Sequence, residues 1–136
     1  MHLNPYLSFN GNCAEALKLY ERCLGAKVEM LMTWGESPMA AQLPADRRDK
    51  VMHARLAIGS DVIMAADAPP DQYTTPSGFS VTVNVDDPKE AERIFTTLAD
   101  GGSVRMELQQ TFFAQKFGVL VDRFGIPWMV NCAPAA

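Results

Sequence analysis

The sequence is short of the residues that most often announce a reactive site. Its 136 residues hold three cysteines and two histidines, with no CxxC pair. An odd, dispersed set of cysteines makes neither a disulfide framework nor a zinc site. Cys13 and Cys23 fall on one expected helix, about 15 Å apart along its axis, too far to bridge. All three cysteines are therefore expected as packed thiols. A nucleophilic cysteine needs a histidine or cationic neighbour, and only His2 and His53 are on offer. Lys and Arg form no cluster and the net charge is −4, which argues against a nucleic-acid partner. No apolar run approaches the ~20 residues of a membrane span. No segment joins a basic start, an apolar stretch and a small-residue cleavage site. The expectation is a cytoplasmic protein without a membrane partner.

What is present suits an ordinary folded domain: 48% hydrophobic and 21% charged residues, enough chain for one domain or two small modules. Leu3 to Phe9 reads as a strand, with Pro5, Leu7 and Phe9 alternating with Asn4, Tyr6 and Ser8. Asn10-Gly11-Asn12 is a turn and capping signal. The helix expected over 13–24 carries Ala16, Leu17, Tyr20 and Leu24 as its stripe and stops at Gly25. A strand over 26–34, a long loop over 35–50 and a hairpin (51–58, 61–66) around Gly59-Ser60 follow. The Pro-rich stretch 71–78 reads as a linker between modules at 1–70 and 79–136. Beyond it come a strand ending at Val85 and a helix over 88–99, capped by Asp86-Asp87 with Pro88 in its first turn. A strand over 103–107, a loop over 109–116 and a hairpin (117–122, 127–132) around Arg123-Phe124-Gly125 complete the second pass.

The two passes repeat. Glu15-Ala16-Leu17-Lys18-Leu19-Tyr20 aligns with Glu90-Ala91-Glu92-Arg93-Ile94-Phe95, and Leu7-Ser8-Phe9 with Val83-Asn84-Val85. Each reads strand, helix, strand, strand, strand. A single such unit cannot cover both faces of its sheet, so two are expected to pair. The fold class is then α+β: two βαβββ modules forming a curved eight-stranded mixed sheet, helices outside and a concave cavity inside.

A duplicated βαβββ module resembles the vicinal oxygen chelate superfamily of glyoxalases, bleomycin- and fosfomycin-resistance proteins and extradiol dioxygenases. The chain is most similar to its PhnB-like group. The resemblance rests on Pro5-Tyr6-Leu7-Ser8-Phe9-Asn10-Gly11-Asn12, Lys50-Val51-Met52-His53-Ala54-Arg55-Leu56, Ala65-Ala66-Asp67-Ala68-Pro69-Pro70, Leu108-Gln109-Gln110-Thr111-Phe112-Phe113 and the tail from Phe117 to Cys132. Together these span nearly the whole chain. The group also carries a methyltransferase name. Such an enzyme would need a glycine-rich turn between a strand and a helix, and no GxGxG follows any strand. For phosphonate chemistry, a second association of the group, the chain shows neither a paired Arg clamp nor a glycine-rich anion loop.

Metal-dependent superfamily members draw His or Glu ligands from the first and last strand of each module. By the resemblance, those positions fall here on Asn4 or Pro5, Met64 or Ala65, Ser80 and Met129. None is a good ligand for such an ion, so no metal and no cofactor is expected. Strand alternation turns Asn4, Tyr6, Ser8, Ser80, Thr82 and Asn84 inward. The expected ligand-binding residues are Tyr6, Trp34, His53, Asp67, Ser80, Thr82, Phe113 and Trp128. Several have a second reading: the aromatics, Trp128 among them, as core, Asp67 as a turn or capping residue, His53 as a hydrogen-bonded strand residue. Met30, Met32, Met64 and Met129 read as adaptable core filler. Function stays open among a small-molecule-binding protein of unknown reaction, a metal-dependent lyase, isomerase or dioxygenase, and a drug-sequestering protein. Whether the chain is an enzyme is open too. The resemblance implies a homodimer.

Overall fold

In the computed structural model, which describes residues 1–134, the chain divides into two units, Met1–Thr74 and Thr75–Ala136. The division falls inside the Pro-rich stretch. The first unit runs β1 (Tyr6–Phe9), α1 (Cys13–Leu24), β2 (Lys27–Thr33), β3 (Val51–Ile58), β4 (Asp61–Asp67). The second runs β5 (Val81–Val85), α2 (Pro88–Ala99), β6 (Ser103–Gln109), β7 (Lys116–Val121), β8 (Pro127–Cys132). Each is a βαβββ module, and both sheets have the same order: β1-β4-β3-β2 and β5-β8-β7-β6. The eight strands thus hydrogen-bond as two mixed sheets of four rather than as one ladder of eight.

In the first module α1 carries the chain from one edge strand to the other. The β3–β4 hairpin, turned by Gly59 at φ 60°, then fills the middle. β4 runs parallel to β1 and antiparallel to β3. Alternation decides the faces. Leu7, Phe9, Ala54, Leu56, Ile63 and Ala65 are buried on the side where α1 packs against β2, β3 and β4. From the helix come Cys13, Ala16, Leu17, Leu19, Tyr20 and Cys23; Leu24, expected in the stripe, is half-buried. The helix ends as expected, with Gly25 left-handed at φ 66°, a conformation only glycine adopts without strain.

Its start differs from expectation. Asn12 makes no side-chain cap. The carboxylate of Asp67, at the end of β4, accepts instead from Cys13 N (2.9 Å) and, through its other oxygen, from Val51 N (2.9 Å). The long segment between β2 and β3 folds as three 3-10 turns, Trp34–Glu36, Ala40–Gln42 and Ala45–Arg47. Its ends are tied by Trp34 N to Lys50 O (2.9 Å) and Gly35 N to Arg48 O (2.8 Å).

In the second module α2 is capped as its sequence implies, Asp87 accepting from Lys89 N with Pro88 in the first turn. Ala91, Ile94, Phe95 and Leu98 bury against the sheet. Gly118 of β7 permits that approach, since a Cβ there would stand 2.5 Å from the Phe95 ring and 3.0 Å from Leu108 Cα. Gly118→Ala is therefore expected to destabilise the protein by about 1–3 kcal/mol, measured by urea denaturation; an unchanged midpoint would show that α2 is free to retreat.

Candidate functional site

The face of the first sheet opposite α1 carries the side chains that alternation turned away from the core. The register aligns one row across all four strands: Tyr6 opposite Met64, Met64 opposite Arg55, Arg55 opposite Met30. In the next row Ser8 faces Ala66 and His53 faces Met32. Tyr6 and His53 lie on strands separated by β4, yet Tyr6 Oη and His53 Nδ1 are hydrogen-bonded at 3.0 Å, with ring centroids 5.7 Å apart. Ala66, the small residue β4 offers near this crossing, leaves room for the span. Partial burial, and secondarily Cys13, raise the pKa of the Tyr6 hydroxyl, so it remains a neutral phenol at physiological pH. Arg55 Nε pairs with Glu29 at 3.2 Å. Both groups are half-exposed, so the pair contributes little to stability, but it holds the guanidinium toward the β2 edge.

Three of the methionines read as core filler belong to this face. Tyr6 is 47% exposed, Met30 40% and Met32 37%; Met64 is half-buried. The correction has a simple cause. Leu31 shares their strand but pairs with Ala54, while Met30 and Met32 pair with Arg55 and His53, so the two methionines take the opposite side of the pleat. The Met-x-Met spacing was the available signal, and hydrophobicity alone pointed it the wrong way.

The other expected residues take differing environments within their own modules. Trp34 opens the first 3-10 turn of the long segment, half-buried, its indole N–H without a partner. Asp67 is corrected from the ligand-binding set: it is 3% exposed, on the α1 side, with both oxygens engaged by backbone N–H groups. Trp128 is corrected likewise. It is fully buried beneath α2, and its Nε1 donates to Asp122 Oδ2 at 2.9 Å, while Asp122 Oδ1 accepts from Phe124 N and Ile126 N. Its register partners Val81 and Leu120 fix it on the helix side. Thr82 and Met129 are paired on the opposite face of that sheet, Asn84 and Asn131 join by a 3.1 Å amide bond, and Ser80 lies just before β5. Phe113, in the loop before β7, packs edge-on against Phe112 (5.2 Å) and Phe117 (5.1 Å).

The positions that bind a divalent ion elsewhere in the superfamily offer an amide, a hydroxyl and thioethers here. Asn4 Nδ2 donates to Val62 O at 3.3 Å. Among the described residues no three His, Cys, Asp or Glu side chains converge. This donor set does not fit Mn, Fe, Ni or Zn, which favour imidazole and carboxylate.

Two βαβββ modules with matching strand order define the glyoxalase/bleomycin-resistance/dioxygenase superfamily fold. A domain of that description from Frankia sp. EAN1pec matches at a TM-score of 0.67 with 12% identity, covering 98% of each chain, a likeness of fold alone. Residues 1–131 match the family described as 3-demethylubiquinone-9 3-methyltransferase, and the chain belongs to this PhnB-like family. Protein YjdN of Escherichia coli (strain K12) is 39% identical over 139 residues, 96% of this chain and 95% of that one. The crystal structure of protein PA1353 from Pseudomonas aeruginosa matches with 49% identity, 98% coverage of both chains and a TM-score of 0.89. The family description names a methyl transfer, yet the β1-to-α1 turn holds a single glycine, Gly11, and the β5-to-α2 turn holds none. No helix among the described residues is long and apolar enough to cross a membrane.

Beneath the site, burial and then the nearby Asp67 push the Cys13 thiol up from 9.0 to about 12. The fold thus favours the protonated thiol. That contribution is complete below the unfolded value of about 9 and is lost as pH rises from there toward 12. The urea midpoint of the wild type is expected to fall more steeply between pH 8 and pH 10.5 than that of Cys13→Ala; parallel profiles would count against it.

Proposed function

We propose that the chain binds a small molecule on the helix-free face of its first module. The observation that carries this reading is the hydrogen-bonded Tyr6–His53 pair standing among open methionines. Unbranched thioether side chains adapt to irregular apolar shapes, while the phenol and imidazole supply a hydrogen-bonded polar pair. A face that is mostly apolar with a few convergent polar groups suits a ligand with an aromatic or aliphatic body and one hydrogen-bonding group. The donor chemistry gives no support to the reading of a metal-dependent lyase, isomerase or dioxygenase. Binding without turnover, as in a sequestering protein, needs nothing beyond this face.

A fragment screen on isotope-labelled protein tests the proposal. Hits are expected to shift the resonances of Tyr6, His53, Met30 and Met64, and Tyr6→Phe is expected to weaken them about tenfold, the worth of one hydrogen bond. Hits that map instead to the loop around Phe113 would move the site to the second module.

We also propose that the chain forms a homodimer. In support, β6 is an edge strand exposed along nearly its whole length, with Val104 and Met106 open. Such an edge favours protection by a partner. Light scattering after size exclusion is expected to give twice the 14.9 kDa chain mass, and the single-chain mass at micromolar concentration would refute it.

A further inference from the structure

The methionines of the open face carry donor sulfurs as well as apolar surface. Met30 and Met32 sit two residues apart on β2 and face the same side. Met32 is the register partner of His53, and Met30 that of Arg55. Irregularities flank the pair, between Val28 and Met30 and between Met32 and Thr33, so the stretch Met30–Met32 against Arg55–His53 is itself regular. Same-face neighbours along a strand stand about 6.5–7 Å apart, and directly opposite residues have Cβ atoms about 4.5–5.5 Å apart. Two thioethers and an imidazole thus rise from three points of a small triangle. The methionine side chains, with three rotatable bonds each, have the reach to meet over its centre.

We propose that this triangle is a site for a soft monovalent metal ion, taking Cu(I) through the Met30 and Met32 sulfurs and His53 Nε2. Three observations favour that ion. Thioethers are soft ligands that select Cu(I) over the harder divalent ions, and the donor set here is two-thirds thioether. The Tyr6 hydroxyl occupies His53 Nδ1 at 3.0 Å. A metal bound at Nε2 selects the tautomer in which Nδ1 is protonated and donates to the phenol oxygen, and that bond then holds the ring in place, the usual outer-shell support of a metal-bound histidine. Arg55, which borders the triangle as the register partner of Met30, is paired with Glu29 at 3.2 Å, which lowers its repulsion of a second positive charge. Binding is a simple coordination with no redox step. The proposal stands independently of the small-molecule reading, because its donors and its readout are specific to the metal.

The test is an anaerobic titration of the reduced full-length protein with Cu(I) against a chromophoric competitor, followed in parallel by the ε-methyl NMR signals of 13C-methionine. The expected result is one bound ion per chain, with the methyls of Met30 and Met32 shifting and that of Met39, exposed on the long segment, unmoved. The double variant Met30→Leu/Met32→Leu preserves volume on an open face and is expected to keep its thermal stability while losing affinity at least a hundredfold. Ag(I), a redox-inert soft ion, should follow the same pattern. Copper bound without methionine shifts, or bound equally well by the double variant, would assign it to the thiols of Cys13, Cys23 or Cys132 and overturn the proposal. So would failure of Cu(I) to compete with the chromophore at all.

Discussion

The carboxylate of Asp67 is the constraint on which the first module depends. It lies at the end of β4 and holds two backbone N–H groups at 2.9 Å each, one at the start of α1 and one at the start of β3. The first N–H groups of a helix have no partner within the helix, and a negative charge there is favoured by the helix dipole. Because that charge comes from the sheet and not from the helix's own flank, it fixes where α1 begins relative to β4. The second bond fixes where the chain re-enters the sheet after the long segment 34–50. One buried side chain thus sets the position of the helix, the opening of β3 and the end of β4.

From that clamp the two faces acquire different chemistry. The helix side closes over Leu7, Phe9, Leu56 and Ile63, and the other side is left to Tyr6, His53, Arg55 and the methionines. The second module solves its own problem with another buried acid. Asp122 binds Phe124 N, Ile126 N and the Trp128 indole, which shapes the β7–β8 turn and anchors the largest side chain of that core. Both carboxylates are 3% exposed and accept from N–H donors through both oxygens, although acids at strand ends invite a ligand-binding reading. A buried acid whose oxygens are filled by backbone donors is structural, because releasing it would leave those donors unsatisfied.

Much of the architecture was legible. Both helices, Cys13–Leu24 and Pro88–Ala99, lie at the limits that Gly25, Asp87 and Pro88 signal, since caps and stops are local. The repeat carried over into identical strand orders because each copy holds the same sequence of elements. Strand ends were less legible: β1 begins at Tyr6 rather than Leu3, as strand limits depend on a partner's reach. The candidate site was half legible. Alternation put Tyr6 and His53 on the helix-free face, where they are hydrogen-bonded, but Trp128 and Asp67 are buried on the helix side and the methionines were taken for core. Those errors share a cause: a single strand's pattern says which residues share a face, not which face the helix will cover.

The sequence by itself determined the two βαβββ modules, their helix limits and the family. These follow from periodicity, capping residues and turn glycines, which act within a few residues. Tertiary structure alone decided that Asp67 caps α1 from 54 residues away, and that Tyr6 reaches across β4 to His53. It also decided that Met30 and Met32 stand beside that histidine rather than in the core. These are matters of register between strands distant in the chain, set by which side chains the helix buries, and no local pattern encodes them.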